Sequence, residues 1–523
     1  MTPKTSIPVN SAPVWCRASL FSLALFSGVL LASCSREDDV VTEQEAGSTA
    51  VSIDSTINSS ATPEGNTGTA ENADDLIANS TFSSVVAINF GSTVSITNPL
   101  AGAGVTVTET NGDVVINATV AEVEYVLSGT TTNGSVKVYS DKKFKLTLNG
   151  VNITNNDGPA INIQSGKRAF VMLNDNTTNS LTDGVTYTAS GTEDMKGTFF
   201  SEGQLIFSGN GSLSLKSNNK HAICSDDYVR IISGKITVTG AASDGIHTND
   251  AFIADGGEIN ITATDDGIQC EEGYIVINSG VFKINVVDKG ITASWDTDAT
   301  IDPYVTINNG TIDITSSAGE GIESKSVLTI NNGTIVVKTA DDALNAGSFI
   351  YINGGTTYAY SSSNDGIDSN GKITVTGGKT IAVGAGSPEQ GFDCDNSTFK
   401  IVGGFVVGIG GGSSLPTASV STQPSVLLGS GTANQIIHIQ SNENVEVLTF
   451  EIPKSYSTLL FSNPKVKVGQ TYKVFSGGTV TNGKSVNGLY TSGTYNPGTE
   501  SSTTFTTSTL VTRAGGSTGP GGR

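Results

Sequence analysis

Residues 243–268, SDGIHTNDAFIADGGEINITATDDGI, begin and end on the same acidic-Gly-Ile triplet. From that isoleucine the series Ile246, Ile268, Ile291, Ile322, Leu344, Ile367 and Phe392 advances in steps of 22, 23, 31, 22, 23 and 25 residues. A second marker, a turn ending in glycine, keeps the same beat at Gly234, Gly257, Gly280, Gly310, Gly333, Gly355, Gly378 and Gly404. Both markers slip together only where an insertion follows Ile291. A period near 22 residues means a stack of like units, each of which buries its apolar side against the next.

Each unit offers three short strand-like segments, such as EINITAT, GIQC and YIVINSG, with turns between them. Three strands and three turns in 22 to 23 residues make one coil of a parallel β-helix. The 62 glycines and the many Thr, Ser, Asn, Val and Ile residues suit short strands and tight turns rather than helices. Two residues after the Ile column stands a column of small residues: Ser225, Thr248, Cys270, Ala293, Ser324, Ala346, Ser369 and Cys394. Both columns suit a narrow interior. The residues between them, His247, Gln269, Thr292, Glu323, Asn345, Asp368 and Asp393, are expected to point outward, because side chains alternate along a strand. A leucine-rich horseshoe would need helices or a Leu-x-x-Leu-x-Leu pattern, and a sandwich would not hold one beat over seven coils.

The chain divides on composition. Arg17 precedes an apolar run, Leu20 to Leu31, too short to span a membrane, and Leu31-Ala32-Ser33-Cys34 resembles a bacterial lipobox with Cys34 as the lipidated residue. The acidic cluster after it, Glu37 to Asp39, resembles a surface-export signal of Bacteroidetes-type lipoproteins. The expectation is therefore a signal peptide over 1–33 and a lipid-anchored protein of the outer membrane facing the cell exterior. Residues 34–80 contain few large apolar side chains and read as a disordered tether. Residues 81–410 read as the β-helix, of roughly fourteen coils and about 65 Å at a strand spacing of about 4.8 Å. Residues 411–512 read as a small β-rich cap over its open end, and 513–523 as a disordered tail. Loss of 1–33 takes the formal charge from −21 to −23, since Lys4 and Arg17 leave with it and no acid does. Such a chain repels nucleic acid and anionic membranes, and cations are its natural ionic partners. Cys270 and Cys394 lie five coils, about 24 Å, apart, too far for a disulfide, and read as buried thiols.

The column two before the Ile runs His221, Asp244, Asp266, Lys289, Glu320, Asp342, Asp365 and Gln390; the column three before it includes Asp265, Asp288 and Asp341. Stacked like charges about 4.8 Å apart repel and call for a cation. Asp244, Asp265, Asp266 and Asp288 offer oxygen ligands for one Ca²⁺, and Asp341, Asp342, Asp365 and Asp368 for a second. The competing reading is that each Asp-Gly only shapes a turn and caps backbone N–H groups. Lys289 interrupts the ladder as a counter-ion for Asp266 and Glu320. The insertion SWDTDATIDPY holds the only tryptophan after the leader, and Trp295, Asp296 and Tyr304 are the expected glycan contacts; Tyr351, Tyr358 and Tyr360 could extend that surface. Asn278, Asn308, Asn331 and Asn353 recur beside the turn glycine as a structural ladder. His221, His247 and His438 form no spaced set with a Ser or Cys nucleophile.

The succession LNGVNI, GPAINI, NTTNSLTDG, FFSEGQLIFSGNGSLSL, HAICSDD and the SDGI ladder resembles the carbohydrate-binding domain-containing family of right-handed parallel β-helix proteins, of the cellulose- and polygalacturonate-binding type, over residues 120–512. The stretch Asn364-Asp365-Gly366-Ile367-Asp368 also resembles, distantly, the calcium-binding DDGxD segment of polysaccharide lyase family nine; Asp265-Asp266-Gly267-Ile268-Gln269 lacks its final acid. The resemblance implies non-catalytic, calcium-dependent binding of cellulose-like or acidic polysaccharide, and the chain is expected to act as a monomer. The alternatives it leaves open are a calcium-dependent pectate-type lyase, with Lys289, Lys325 or Lys372 as base, and a structural surface adhesin.

Overall fold

The computed structural model describes residues 47–53, 61–498 and 503–516. Cys34 and the leader lie outside them. The protein is all-β, a parallel β-helix of about thirteen turns with two short 3₁₀ turns, Ala73–Asp75 and Ile77–Asn79, near its start.

One coil shows the rule. Ile246–Thr248 is a short strand, Ala251–Ala254 the second and Glu258–Thr262 the third, and each pairs in parallel with its equivalent one coil on. The short strands stack into a thirteen-stranded sheet, here called the groove face, closed at its N-terminal edge by an antiparallel hairpin, Val105–Thr110 with Asp113–Ala118. Pairing is in strict register: Ile223, Ile246, Ile268, Ile291, Ile322, Leu344, Ile367 and Phe392 oppose one another in turn, and all are fully buried. The small column lies inside as well, with Cys270 and Cys394 as free buried thiols. One continuous apolar core runs from Val86 through the coils to Leu460.

The glycine beat has a backbone cause. Gly234, Gly257, Gly280, Gly310, Gly333, Gly355, Gly378 and Gly404 all take positive φ, between 72° and 127°, which only glycine adopts without strain. They also stack closely: a Cβ on Gly333 would sit 2.8 Å from the carbonyl oxygen of Gly310. The glycine of the Asp-Gly-Ile triplet works differently. It has no positive φ, but a Cβ on Gly366 would stand 2.8 Å from the Gly391 carbonyl oxygen, so it is there to let neighbouring coils approach.

The region 34–80 does not behave throughout as a tether. Residues 61–80 form a strap that runs along the coils against their order. The Asn ladder is its rail: the side-chain amides of Asn278, Asn308, Asn331 and Asn353 donate to the carbonyls of Thr69, Gly68, Asn66 and Glu64, at 2.8–2.9 Å. At the far end Asp75, 1 % exposed at its side chain, is held by Arg168 at 2.8 Å, Arg230 at 3.3 Å and the Tyr228 hydroxyl at 2.6 Å. Composition alone excludes an apolar core for this segment; hydrogen bonds and one buried charge order it instead. Thr49–Ser52 is likewise a strand, antiparallel to Leu489–Asn496.

At the C-terminal end Thr458–Ser462 pairs antiparallel with the last-coil strand Phe405–Gly410 and with Ser425–Leu428, so the open edge of the helix is covered. Val511–Arg513 pairs with Ser425–Leu428, which puts Arg513 in a strand rather than in a tail. A separate seven-stranded antiparallel sheet packs its apolar side on the outer face of the late coils, where Tyr358, Ile381, Val407 and Ile409 meet Val447, Phe450 and Tyr472 in a second core.

Candidate functional site: an acidic groove along the stacked coils

On the groove face each Asp of the Asp-Gly-Ile column splits its two oxygens between two tasks. One accepts the backbone N–H of the equivalent residue on the next coil: Asp266 N to Asp244 Oδ1 at 3.1 Å, Lys289 N to Asp266 Oδ1 at 2.7 Å, Asp365 N to Asp342 Oδ1 at 2.9 Å, and Gln390 N to Asp365 Oδ1. This capping buries the four carboxylates to between 1 and 7 % exposure. The other oxygen is left for neighbours. Capping and charge clustering, which the sequence poses as rivals, are therefore two ends of one side chain.

Among the described residues three groups bring ligand atoms within 4.8 Å of one another: His221, Asp244 and His247; Asp265, Asp266 and Asp288; and Asp365, Asp368 and Asp393. The grouping differs from the two quartets expected from spacing. Asp244 leaves Asp265, Asp266 and Asp288 because two imidazoles claim its free oxygen. Asp341 and Asp342 stay outside the third trio: Asp341 accepts from the Asn364 amide, Asp342 from Asn345 at 2.9 Å. Asp393, from the column between the Ile and small columns, takes their place. Its membership follows from register, since Asp368 and Asp393 are direct cross-strand partners.

The third trio opens into a cleft of about 820 Å³ lined by Asp341, Asp342, Asp365, Asp368, Glu389, Asp393 and Asp395, with no basic residue in its walls. Its electrostatics follow. Burial raises the Asp365 pKa to about 8, against the stabilising N–H of Gln390. Burial, then the charges of Asp342 and Asp393, raises Asp368 to about 8. Burial raises Asp342 to about 7. In the middle trio burial and then Asp244 raise Asp266 to about 8. These are carboxylates whose ionised form lacks a counter-charge. The outward column is not uniformly open: Thr292 and Glu323 are 2 % exposed and hydrogen-bonded to each other at 2.9 Å, with two lysines paired to Glu323. Lys289 pairs with Glu323 at 3.5 Å and Glu320 at 3.8 Å rather than with Asp266, and Lys325 also binds Glu323. Burial works to lower the Lys289 pKa, but Glu323 and Glu320 outweigh it and the ammonium is held above its ordinary value. Lys372 lies over the Phe349 ring, 5.3 Å from its centroid.

The aromatic residues do not form one platform. Trp295 follows the groove strand Ile291–Ala293 and is 41 % exposed, on a loop tied down by Glu272, which accepts from the backbone of Asp296 at 3.2 Å and from Thr297. Tyr304 begins the next face, stacked on Tyr274 at 4.9 Å. Tyr351 lies beneath Gly65 of the strap, and Tyr358 is covered by the C-terminal sheet.

The histidine cluster is the part that single columns conceal. His221 and His247 occupy different columns on adjacent coils, and only the crossing of the two shows that both meet Asp244, at 3.0 and 2.9 Å from its Oδ2. Their rings stack at 4.2 Å. Burial opposes ionisation of Asp244, but the two imidazoles hold it well below the usual carboxylate range; burial lowers His221, while for His247 Asp244 and Glu271 overcome burial and raise it to about 9.

A family model described as carbohydrate-binding domain-containing protein matches residues 101–366. A carbohydrate-binding domain-containing protein of Acetivibrio thermocellus is 34% identical over 118 residues, which are 22% of this chain and 41% of that protein, so the match spans less than half of the relative. A solved structure described as a polysaccharide lyase-like protein from C. thermocellum, in its gadolinium derivative, shares 29% identity with a TM-score of 0.38, over 47% of this chain and 96% of that one. With the family match extending over half of its length, the chain belongs to the carbohydrate-binding domain-containing protein family.

Proposed function

We propose that this protein binds polysaccharide without cleaving it, through the acidic groove, with Ca²⁺ as the bridging ion. The observation behind this reading is the cleft in which Asp365, Asp368 and Asp393 bring carboxylate oxygens within 4.8 Å of one another and no cation of the protein lines the walls. An all-oxygen donor set with displaceable protons fits a hard divalent cation such as Ca²⁺. Asp365, Asp368 and Asp393 would hold it; bound there, the ion supplies positive charge that vicinal hydroxyls or a uronate carboxylate can approach. The Asp265, Asp266 and Asp288 trio offers a second such set. Trp295, exposed on its anchored loop, would add a stacking surface for a sugar ring. Cellulose-like glucan needs no charge reversal, whereas an acidic glycan needs the ion. The family membership and the printed description of the Acetivibrio thermocellus relative support a polysaccharide ligand. Lipidation at Cys34 and display on the outer membrane belong to the same proposal.

A lyase reading requires a lysine able to act as a neutral base. Lys289 and Lys325 share Glu323 as ion-pair partner, and the Lys289 pKa is raised, which favours the non-catalytic reading. Two assays decide. Electrophoresis through gels containing hydroxyethylcellulose or polygalacturonate, with calcium or with chelator, should show retardation that depends on calcium for the acidic polymer. Incubation with polygalacturonate and calcium should yield no unsaturated product absorbing in the ultraviolet. Mobility unchanged by every polymer would refute binding and leave an adhesive role, and accumulation of unsaturated product would refute the non-catalytic reading.

A further inference from the structure

We propose that His221, Asp244 and His247 form a binding site for an imidazole-preferring divalent metal ion of the Zn²⁺ class, separate from the all-oxygen sites and independent of polysaccharide binding. His221 begins the groove strand His221–Ser225 and His247 is the centre of Ile246–Thr248 on the next coil. Their Nδ1 atoms stand 3.0 and 2.9 Å from one carboxylate oxygen, Asp244 Oδ2. Two ligands each about 2.0–2.1 Å from a tetrahedral metal, about 109° apart, are separated by about 3.3 Å, so the ion can enter once each imidazole shifts by about 0.3–0.4 Å from the carboxylate oxygen.

Proton counting points the same way. His247 Nδ1 faces two oxygens, Asp244 Oδ2 and Gln269 Oε1, both at 2.9 Å. That nitrogen carries at most one proton, which can satisfy one of them. His221 Nδ1 faces Asp244 Oδ2 and also the backbone N–H of Asp244 at 3.4 Å, a donor that requires the nitrogen lone pair. Protons thus leave one oxygen unmatched at His247, whereas a cation at the centre accepts both nitrogen lone pairs together with the Asp244 and Gln269 oxygens, giving up only the long 3.4 Å contact of the Asp244 N–H. Beyond the ligands, Glu271 Oε2 stands 3.1 Å from His247 Nε2. A carboxylate on the far ring nitrogen is the usual partner that orients a metal-bound imidazole. The other oxygen of Asp244 is fixed by the Asp266 N–H at 3.1 Å, so the carboxylate is aimed before any ion arrives. Nitrogen ligands favour Zn²⁺, Cu²⁺ and Ni²⁺ over Ca²⁺, which sets this cluster apart from the aspartate trios on the later coils. The bound ion would pin the coils of His221, His247 and Gln269 together at the groove surface.

The test uses the tag-free full chain, stripped with chelator, and titrated with Zn²⁺ by calorimetry and with Co²⁺ by visible spectroscopy, each in excess Ca²⁺. One equivalent of Zn²⁺ should bind despite the Ca²⁺, and Co²⁺ should develop visible bands that Zn²⁺ removes. His221→Gln and His247→Gln should each abolish that equivalent, and Glu271→Gln should weaken it about ten- to hundredfold. Asp365→Asn should leave it unchanged, which separates this site from the cleft. Circular dichroism of each variant checks folding. Absence of a stoichiometric Zn²⁺ site in the wild type, or its persistence in folded His221→Gln and His247→Gln, would overturn the proposal and leave the cluster as a buried ion pair.

Discussion

The carboxylates of the groove make stability depend on pH in a direction opposite to that of ordinary ion-paired acids. Asp365 and Asp368 have folded pKa values near 8 and Asp342 near 7, chiefly through burial, while in the unfolded chain all three titrate near 4. Between these limits the folded state holds more protons than the unfolded one, so stability falls as pH rises. Each excess proton contributes a slope of about 1.4 kcal/mol per pH unit. With two retained, the loss across pH 6.5 to 8 approaches about 4 kcal/mol. A cooperative unit of this size has an unfolding entropy near 1 kcal/mol per kelvin, so the melting temperature should drop by about 3 °C per pH unit in calcium-free buffer. Calcium at a hundredfold over its Kd should restore about 2.7 kcal/mol at pH 8 and flatten the slope. The assay is calorimetric melting of wild type and of the double variant Asp365→Asn, Asp368→Asn, over the same pH range with and without calcium. The variant isolates the cluster, because His247 and Asp266 have raised pKa values and contribute slopes of the same sign. Equal pH slopes in wild type and variant, together with no effect of calcium on either, would mean that these carboxylates neither retain protons in the folded state nor bind calcium.

Three further outcomes follow from particular contacts. His438 is fully buried between Thr449 and Gln440 and stacked on Tyr495, and burial lowers its pKa to about 4; the unfolded chain protonates first on acidification, so between pH 6.5 and 4 this residue should remove up to about 3 kcal/mol, and His438→Gln should abolish that part of the acid sensitivity in melts. Asp75→Ala removes the carboxylate shared by Arg168 and Arg230, while Arg230 keeps its pair with Asp255 at 2.7 Å; it should cost about 1.5–3 kcal/mol and expose residues 61–80 to limited proteolysis while later coils stay protected. Trp295→Ala removes a ring that is 41 % exposed, so the melting temperature should stay unchanged while retardation in polysaccharide gels weakens by at least about fivefold, the equivalent of 1 kcal/mol.

The coil was legible because what defines it is periodic and interior. Ile246 and Ile268, or Thr248 and Cys270, are fixed by one contact repeated with the same geometry, and the left-handed glycine recurs for a backbone reason. The strap was not, because its order comes from outside its own composition: the Asn278 to Asn353 rail lies more than 200 residues away in sequence, and Asp75 finds its arginines 93 and 155 residues on. The acids were visible as a ladder, yet their grouping was not. Which oxygen of Asp244 caps a backbone N–H, and which meets an imidazole, depends on side-chain direction rather than on spacing. Asp393 and the His221–His247 pair were hidden for a related reason, since each joins positions from different columns on adjacent coils.

Whether calcium in the acidic groove is what holds polysaccharide is decided by co-sedimentation. Wild type and the Asp365→Asn, Asp368→Asn variant are mixed with cellulose and with calcium–pectate gel, with and without chelator, and the bound fraction is measured. Wild type should pellet with polysaccharide, capture by pectate should be lost in chelator, and the folded variant should lose pectate capture even in calcium. Wild type remaining in the supernatant with both polymers, or the variant pelleting with pectate as well as wild type does, would contradict it.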